Sequence, residues 1–162
     1  MSSLILDGYN LIGIAHRDLK KQRDALIAML VGYRKAKGHD ITVVFDGWKT
    51  GAAQEQQSVS GGVKILYSRI GDKADAVIKR ILSSRRREWI VVTSDRDIAD
   101  YAWSMGSVPL PAETFLDAVA SHMRLFPGNQ EYDDEYHGHP RKGNPRQLSR
   151  REKAVRRVLQ KL

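Results

Sequence analysis

The sequence predicts a three-layer α/β domain built on a central parallel sheet. Three observations predict it. Four short runs, Ser3 to Asp7, Ile41 to Asp46, Val63 to Tyr67 and Trp89 to Thr93, have the β-branched, near-continuous apolar character of strands buried on both faces. Helical patterns alternate with these runs, as strand–helix–strand crossovers require. Aspartates gather at their ends: Asp7 and Asp46 close two runs, Asp95 and Asp97 follow a third, and Asp75 opens a helix-like stretch. Open parallel sheets bind ligands at the carboxyl ends of their strands, so an edge that ends repeatedly in Asp predicts a pocket of carboxylates.

The remaining elements follow from local signals. Asp18 caps a helix that reaches Lys37, with Leu26, Met29, Leu30 and Tyr33 on one face and Gly38 as its stop. Asp72 caps a second, with Val77, Ile78, Ile81 and Leu82 inward, ending near Arg85, Arg86 and Arg87. A third runs from Asp95 to about Gly106, and Ser107 to Leu110 is a short fifth strand. Pro111 precedes a helix carrying Phe115, Leu116, Val119 and Met123. Gly47 to Gly62, rich in Gly, Ser and Gln, reads as a mobile loop on the rim of the proposed site. Residues 1–127 are then one domain and 128–148 a polar linker. In 149–162, the box Ser149-Arg150-Arg151-Glu152 starts a basic amphipathic helix with Val155, Val158, Leu159 and Leu162 on its stripe.

Composition narrows the class. The chain has 162 residues, 41% hydrophobic and 28% charged, which suits a folded, soluble domain with a core of its own. It has no cysteine, which excludes disulfides, thiolate zinc sites and a Cys nucleophile. No stretch resembles a signal peptide or is long enough to span a bilayer, so a cytoplasmic protein without a membrane partner is expected. Residues Pro140 to Leu162 hold nine Arg or Lys and one acid, and account for the whole net charge of +8. A neutral body with a basic tail suggests an electrostatic handle for a polyanion, with RNA the natural partner and Arg150, Arg151, Arg156 and Arg157 among its contacts. The plainer reading is a solvated charged end. The sequence leaves the oligomeric state open, a dimer through the tail helix included.

Asp7, Asp46, Asp75, Asp95 and Asp97 are the candidate metal ligands. Gathered carboxylates repel one another and raise their own pKa values unless a cation neutralises them. A divalent metal assisting phosphodiester chemistry is the natural use. Asn10 is spaced to reach back and orient Asp7 or bind a phosphate, and Ser94 can donate to a phosphate or a metal-bound water. Each acid also has a structural reading. Asp-Gly favours turns at Asp7 and Asp46, Asp72 and Asp75 can be a cap and its partner, and Asp95 can be an N-cap. The Walker loop and the dinucleotide glycine fingerprint are both absent, which argues against an NTPase and a dinucleotide enzyme. His137 and His139 fall in the linker and carry no assignment. Trp48, on the rim loop, can stack on a base.

Asp7-Gly8-Tyr9-Asn10-Leu11-Ile12, Val44-Phe45-Asp46-Gly47, Ala74-Asp75-Ala76-Val77-Ile78 and Thr93-Ser94-Asp95 resemble, in order, the motifs of NYN domains, a branch of the PIN-like nucleases. The similarity is greatest to the YacP-type NYN proteins and covers Leu4 to Val119. It implies a PIN-like fold and a Mg²⁺- or Mn²⁺-dependent endoribonuclease acting on messenger RNA at the ribosome. It also implies that Asp7, Asp75 and Asp95 are the catalytic, metal-binding acids, Asn10 the Asn beside the first acid, Asp46 the second-strand acid and Asp97 the variable last one. Gly71-Asp72-Lys73-Ala74-Asp75 departs from the Glu-Thr pair expected before Ala-Asp, and the basic tail has no counterpart in the motif set. The alternative is a non-catalytic RNA- or ribosome-binding module on the same scaffold. An aspartyl-phosphate phosphatase would want a second Asp where Tyr9 stands.

Overall fold

The computed structural model describes residues 1–12, 18–47, 53–84, 87–125 and 149–162. Six strands form one sheet: β1 (Ser3–Asp7), β2 (Asp40–Phe45), β3 (Gln56–Ser60), β4 (Val63–Tyr67), β5 (Trp89–Val92) and β6 (Val108–Leu110). Their order is β3-β4-β2-β1-β5-β6. All neighbours are parallel except β3, which pairs antiparallel with β4. The helices are α1 (Gly8–Ile12), α2 (Leu19–Lys37), α3 (Ala74–Ser84), α4 (Arg96–Ser104), α5 (Ala112–Leu125) and α6 (Arg150–Lys161).

The sheet separates two apolar layers because side chains alternate along a strand. Leu4, Leu6, Ile41, Val43 and Phe45 face Leu26, Leu30 and Tyr33 of α2, Phe115 and Val119 of α5, and Val158 of α6. Ile5, Val44 and Val91 face Val77, Ile78 and Leu82 of α3 and Ile98 and Ala102 of α4. These are the three layers that the sequence predicts. The chain goes from β1 to β2 on one side and reaches β5 on the other, so the strand order reverses at β1. Such a switch point opens a crevice at the carboxyl ends of the strands.

Four expectations change. The stretch from Gly47 to Gly62 is not all loop. Gln56–Ser60 is a strand with every residue exposed, folded back on β4 through Gly61 and Gly62, both at positive φ. Its polar composition hid it, since an edge strand open to solvent on both faces shows no alternating apolar pattern. The short helix α1 was not expected. Asp72 does not cap α3. Its carboxylate pairs with Arg69 at 2.7 Å, and the first N–H of the helix, on Ala74, donates to Asp46 instead at 2.5 Å. Met123 is exposed rather than inward. The proposed linker 128–148, Trp48, Arg85, Arg86, His137 and His139 lie outside the described residues. Arg87 stacks on Trp89 at 3.9 Å and pairs with Asp40 at 3.1 Å.

The terminal helix forms as its capping box predicts, with Ser149 accepting from the Glu152 N–H and Glu152 from the Ser149 N–H. Its stripe closes on the body through Val155, Val158 and Leu162, while Leu159, expected on the stripe, is exposed because it lies at the stripe's far margin. Val158 and Leu162 are buried, and the Tyr33 hydroxyl donates to the Leu162 carbonyl at 2.7 Å. Burial pushes the Tyr33 phenol up to about 12, so it remains a donor at any ordinary pH. Tyr33→Phe is expected to cost about 1 kcal/mol, the usual worth of one buried hydrogen bond, read as a lower urea midpoint at unchanged slope.

Candidate active site at the carboxyl edge of the sheet

Register brings the predicted acids to one level. Asp7 is the last residue of β1 and lies opposite Val44, while Leu6 lies opposite Val92. Asp46 therefore follows β2 just beyond Asp7, and Thr93, Ser94 and Asp95 follow β5 on the other side. Asp7 is only 8% exposed. The side chain of Asn10 donates to one Asp7 oxygen at 2.5 Å and its backbone N–H to the other at 3.4 Å. The same amide reaches Thr93 Oγ1 at 3.4 Å, so Asn10 bridges the crevice between β1 and β5. Of the two roles expected for Asn10, orienting Asp7 is the one its contacts support.

Burial raises the Asp7 pKa, and the charges of Asp46 and Asp95 raise it further, against the lowering effect of the two Asn10 hydrogen bonds. Asp46 uses Oδ1 at the start of α3. Asp95 is the N-cap of α4, with Oδ1 accepting from the Asp97 and Ile98 N–H groups at 2.8 and 3.4 Å. The capping role and the edge position thus coexist, because each carboxylate keeps a second oxygen that these bonds do not use. Ser94 has a structural bond too: its Oγ accepts from the Ala112 N–H at 3.3 Å, and its proton stays available to donate.

Asp75 and Asp97 face a different neighbour. Lys79, one turn after Asp75 on α3, forms an ion pair with Asp97 of α4. Its ammonium is favoured by that bond and by the charges of Asp97, Asp75 and Asp95. The charges of Asp46 and Asp95 are felt at Asp7, and those of Asp75, Asp95 and Asp97 at Lys79; Asp75 itself accepts from the Ala76 N–H at 2.8 Å. Among the described residues, no three such side chains are drawn together closely enough to hold an ion by themselves. Lys79 escaped sequence reasoning, although its i+4 spacing from Asp75 placed it on the same helix face.

The glycines after Asp7 and Asp46 have a different reason from the turn chemistry first ascribed to them. Neither has a positive φ. A Cβ on Gly8 would lie 2.2 Å from the Phe45 ring, and one on Gly47 would lie 1.4 Å from the Ser68 carbonyl oxygen. Ser68 is the tie at this corner: its N–H donates to the Phe45 carbonyl at 3.0 Å, and its hydroxyl accepts from Gly47 at 2.9 Å and donates to the Asp72 carbonyl at 2.7 Å.

Arg150, Arg151, Arg156 and Arg157 are not brought to this edge. They lie on α6, whose anchors are at the other end of the sheet: Tyr33, near the end of α2, and Trp103, near the end of α4, over which Arg151 lies at 5.3 Å.

The YacP-like NYN domain family matches residues 4–159. The chain belongs to that family. Among solved structures, it is similar to Rae1 (YacP) from Bacillus subtilis at 26% identity and a TM-score of 0.62, over 77% of each chain. A Trp-to-Leu variant of Rae1 superposes with a TM-score of 0.65 at 23% identity, over 77% of this chain and 79% of the other. No curated protein matches the chain. No helix among the described residues is long and apolar enough to cross a membrane.

Asn10→Ala is expected to weaken any metal site built on Asp7 by roughly 10–100-fold, the usual cost of losing a group that orients a ligand. Calorimetric Mn²⁺ titration checks it without any substrate.

Proposed function

We propose that the chain is a Mg²⁺- or Mn²⁺-dependent endoribonuclease that works on RNA in the cytoplasm, messenger RNA on the ribosome included. The observation that carries this reading is the buried Asp7 carboxylate, held by Asn10 and facing Asp46 and Asp95 at the switch point of a YacP-like NYN domain. The donor chemistry fits the metal, since all the candidate ligands are hard carboxylate oxygens. One or two of Asp7, Asp46 and Asp95 would hold it, through carboxylate oxygens that their structural bonds leave over. Mg²⁺ commonly takes one or two protein carboxylates and completes its shell with water and substrate phosphate, so an incomplete set of acids is compatible with it. Bound there, such an ion would supply a more acidic water and stabilisation of charge on the leaving oxygen.

The protein's own groups do the rest. Asn10 fixes the orientation of Asp7. The burial of Asp7 excludes water that would screen its attraction for a cation. Ser94 can donate to a phosphate oxygen. Lys79 can leave Asp97 for an incoming phosphate.

Cleavage of a structured, end-labelled RNA in Mn²⁺, Mg²⁺ or EDTA tests the reading. Metal-dependent cutting is expected. Salt-dependent RNA binding without cutting, in free RNA and on translating ribosomes alike, would replace it with the non-catalytic binding module.

A further inference from the structure

The carboxyl edge is not the only surface suited to RNA. α6 carries six basic residues and one acid, Glu152, which is engaged in the capping box. Val158 and Leu162 are buried in the core, with Ala154 and Val155 packed beside them. The helix is therefore fixed in rotation. Arg150, Lys153, Arg157 and Lys161, at i, i+3, i+7 and i+11, share a face that flanks that stripe, and all four are exposed, as is Arg156. Lys153, Arg156, Arg157 and Gln160 line one shallow concavity.

Position separates this patch from the acids. Tyr33, which holds the Leu162 carbonyl, precedes the start of β2 at Asp40. Trp103, beneath Arg151, precedes the start of β6 at Val108. Both anchors stand at the amino edge of the sheet, while Asp7, Asp46 and Asp95 stand at the carboxyl edge. A five-residue strand at ~3.3 Å per residue puts roughly 17 Å between the edges.

We propose that the basic face of α6 is a second RNA-backbone site, which grips a part of the RNA remote from the phosphate that is cut. The proposal rests on RNA being the substrate at the carboxyl edge. Phosphates are the fitting partner because they need only fixed cations. A protein partner would ask for an apolar centre, and Leu159, at 37% exposure, is the sole large apolar side chain that α6 leaves exposed. An RNA that reaches both edges gains from the two contacts together, whereas a short one seated at the acids cannot also reach α6.

The test compares wild type with a variant carrying Arg150→Gln, Lys153→Gln, Arg156→Gln and Arg157→Gln. Cutting is read as kcat/KM in Mn²⁺ on RNAs of about 6 and about 30 nucleotides, so that only RNA seated at the acids counts, and binding of both RNAs is read in EDTA over a range of salt. The variant should lose at least tenfold on the long RNA and less than threefold on the short one. Its salt slope on the long RNA should fall by roughly 3, at ~0.7 per single-strand phosphate contact. Arg150→Lys, Arg156→Lys and Arg157→Lys together should restore wild-type binding, since they keep the charge. If the fourfold variant melts early, Lys153→Gln with Arg157→Gln reads the same contrast at half the change in slope.

Equal losses on both lengths would overturn the proposal, because α6 would then touch the same nucleotides as the acids. So would no loss on either. Wild type that binds both RNAs but cuts neither in any metal would remove the nuclease reading and leave the α6 site standing. Length-independent binding alongside normal cutting would do the reverse.

Discussion

Asp7→Asn is expected to abolish RNA cleavage while leaving the fold at least as stable. Under the proposed function the loss should be about 10³-fold or more, since a metal held by the Asp7 charge would contribute several kcal/mol to the transition state. Stability moves the other way because the native carboxylate is buried beside Asp46 and Asp95. The sign follows from proton linkage. The folded-state pKa is raised above the ordinary 3.8, so the folded chain keeps a proton that the unfolded chain releases. The stability that Asp7 contributes is therefore fully present below the unfolded value and is lost as pH rises through the folded one. The Asn variant lacks this loss, so its melting temperature at pH 7 should equal or exceed that of wild type, with the difference shrinking as the solution is acidified. The Asn side chain can still accept from Asn10. Excess Mn²⁺ should raise the melting temperature of wild type but not of the variant, because a ligand stabilises only the state that binds it. Cutting that survives in the variant would remove Asp7 from the chemistry.

Gly47→Ala is expected to be the most damaging of these changes to the fold. A methyl group there would overlap the Ser68 carbonyl oxygen at 1.4 Å, and backbone stands on both sides, so no side chain can rotate away. Overpacking typically costs 1–3 kcal/mol and more where backbone must move, so about 3 kcal/mol or more is expected. For a domain of this length that is roughly 6–12 °C in melting temperature. The displacement would also break the Gly47-to-Ser68 bond and shift Asp46 relative to the first N–H of α3. Metal binding should fall with stability, and chemical denaturation with parallel Mn²⁺ titration would show both. A variant as stable as wild type would mean that this corner does not pack as described.

Local signals made much of this protein legible. Four of the five parallel strands were readable because strands buried on both faces must be apolar without interruption, as Leu4, Ile5 and Leu6 are. The bounds of α2 were readable because Asp18 and Gly38 act on their own backbone neighbours. The acids at strand ends were readable as a set because parallel strands deliver their carboxyl ends to one edge. The fully exposed β3 was not, since nothing in its sequence records burial.

What the sequence by itself determined, then, is the α/β class, the edge that carries the acids and the capped basic helix at the end of the chain. All three depend on residues close together in sequence or on strand periodicity. Only the tertiary structure decided which groups share a carboxylate. It gave Asp46 to Ala74, Lys79 to Asp97 and Asn10 to both Asp7 and Thr93. It also placed α6 on the amino edge, away from the acids. These outcomes depend on strand order and helix docking, which join residues as far apart as Tyr33 and Leu162 through contacts that no local pattern encodes.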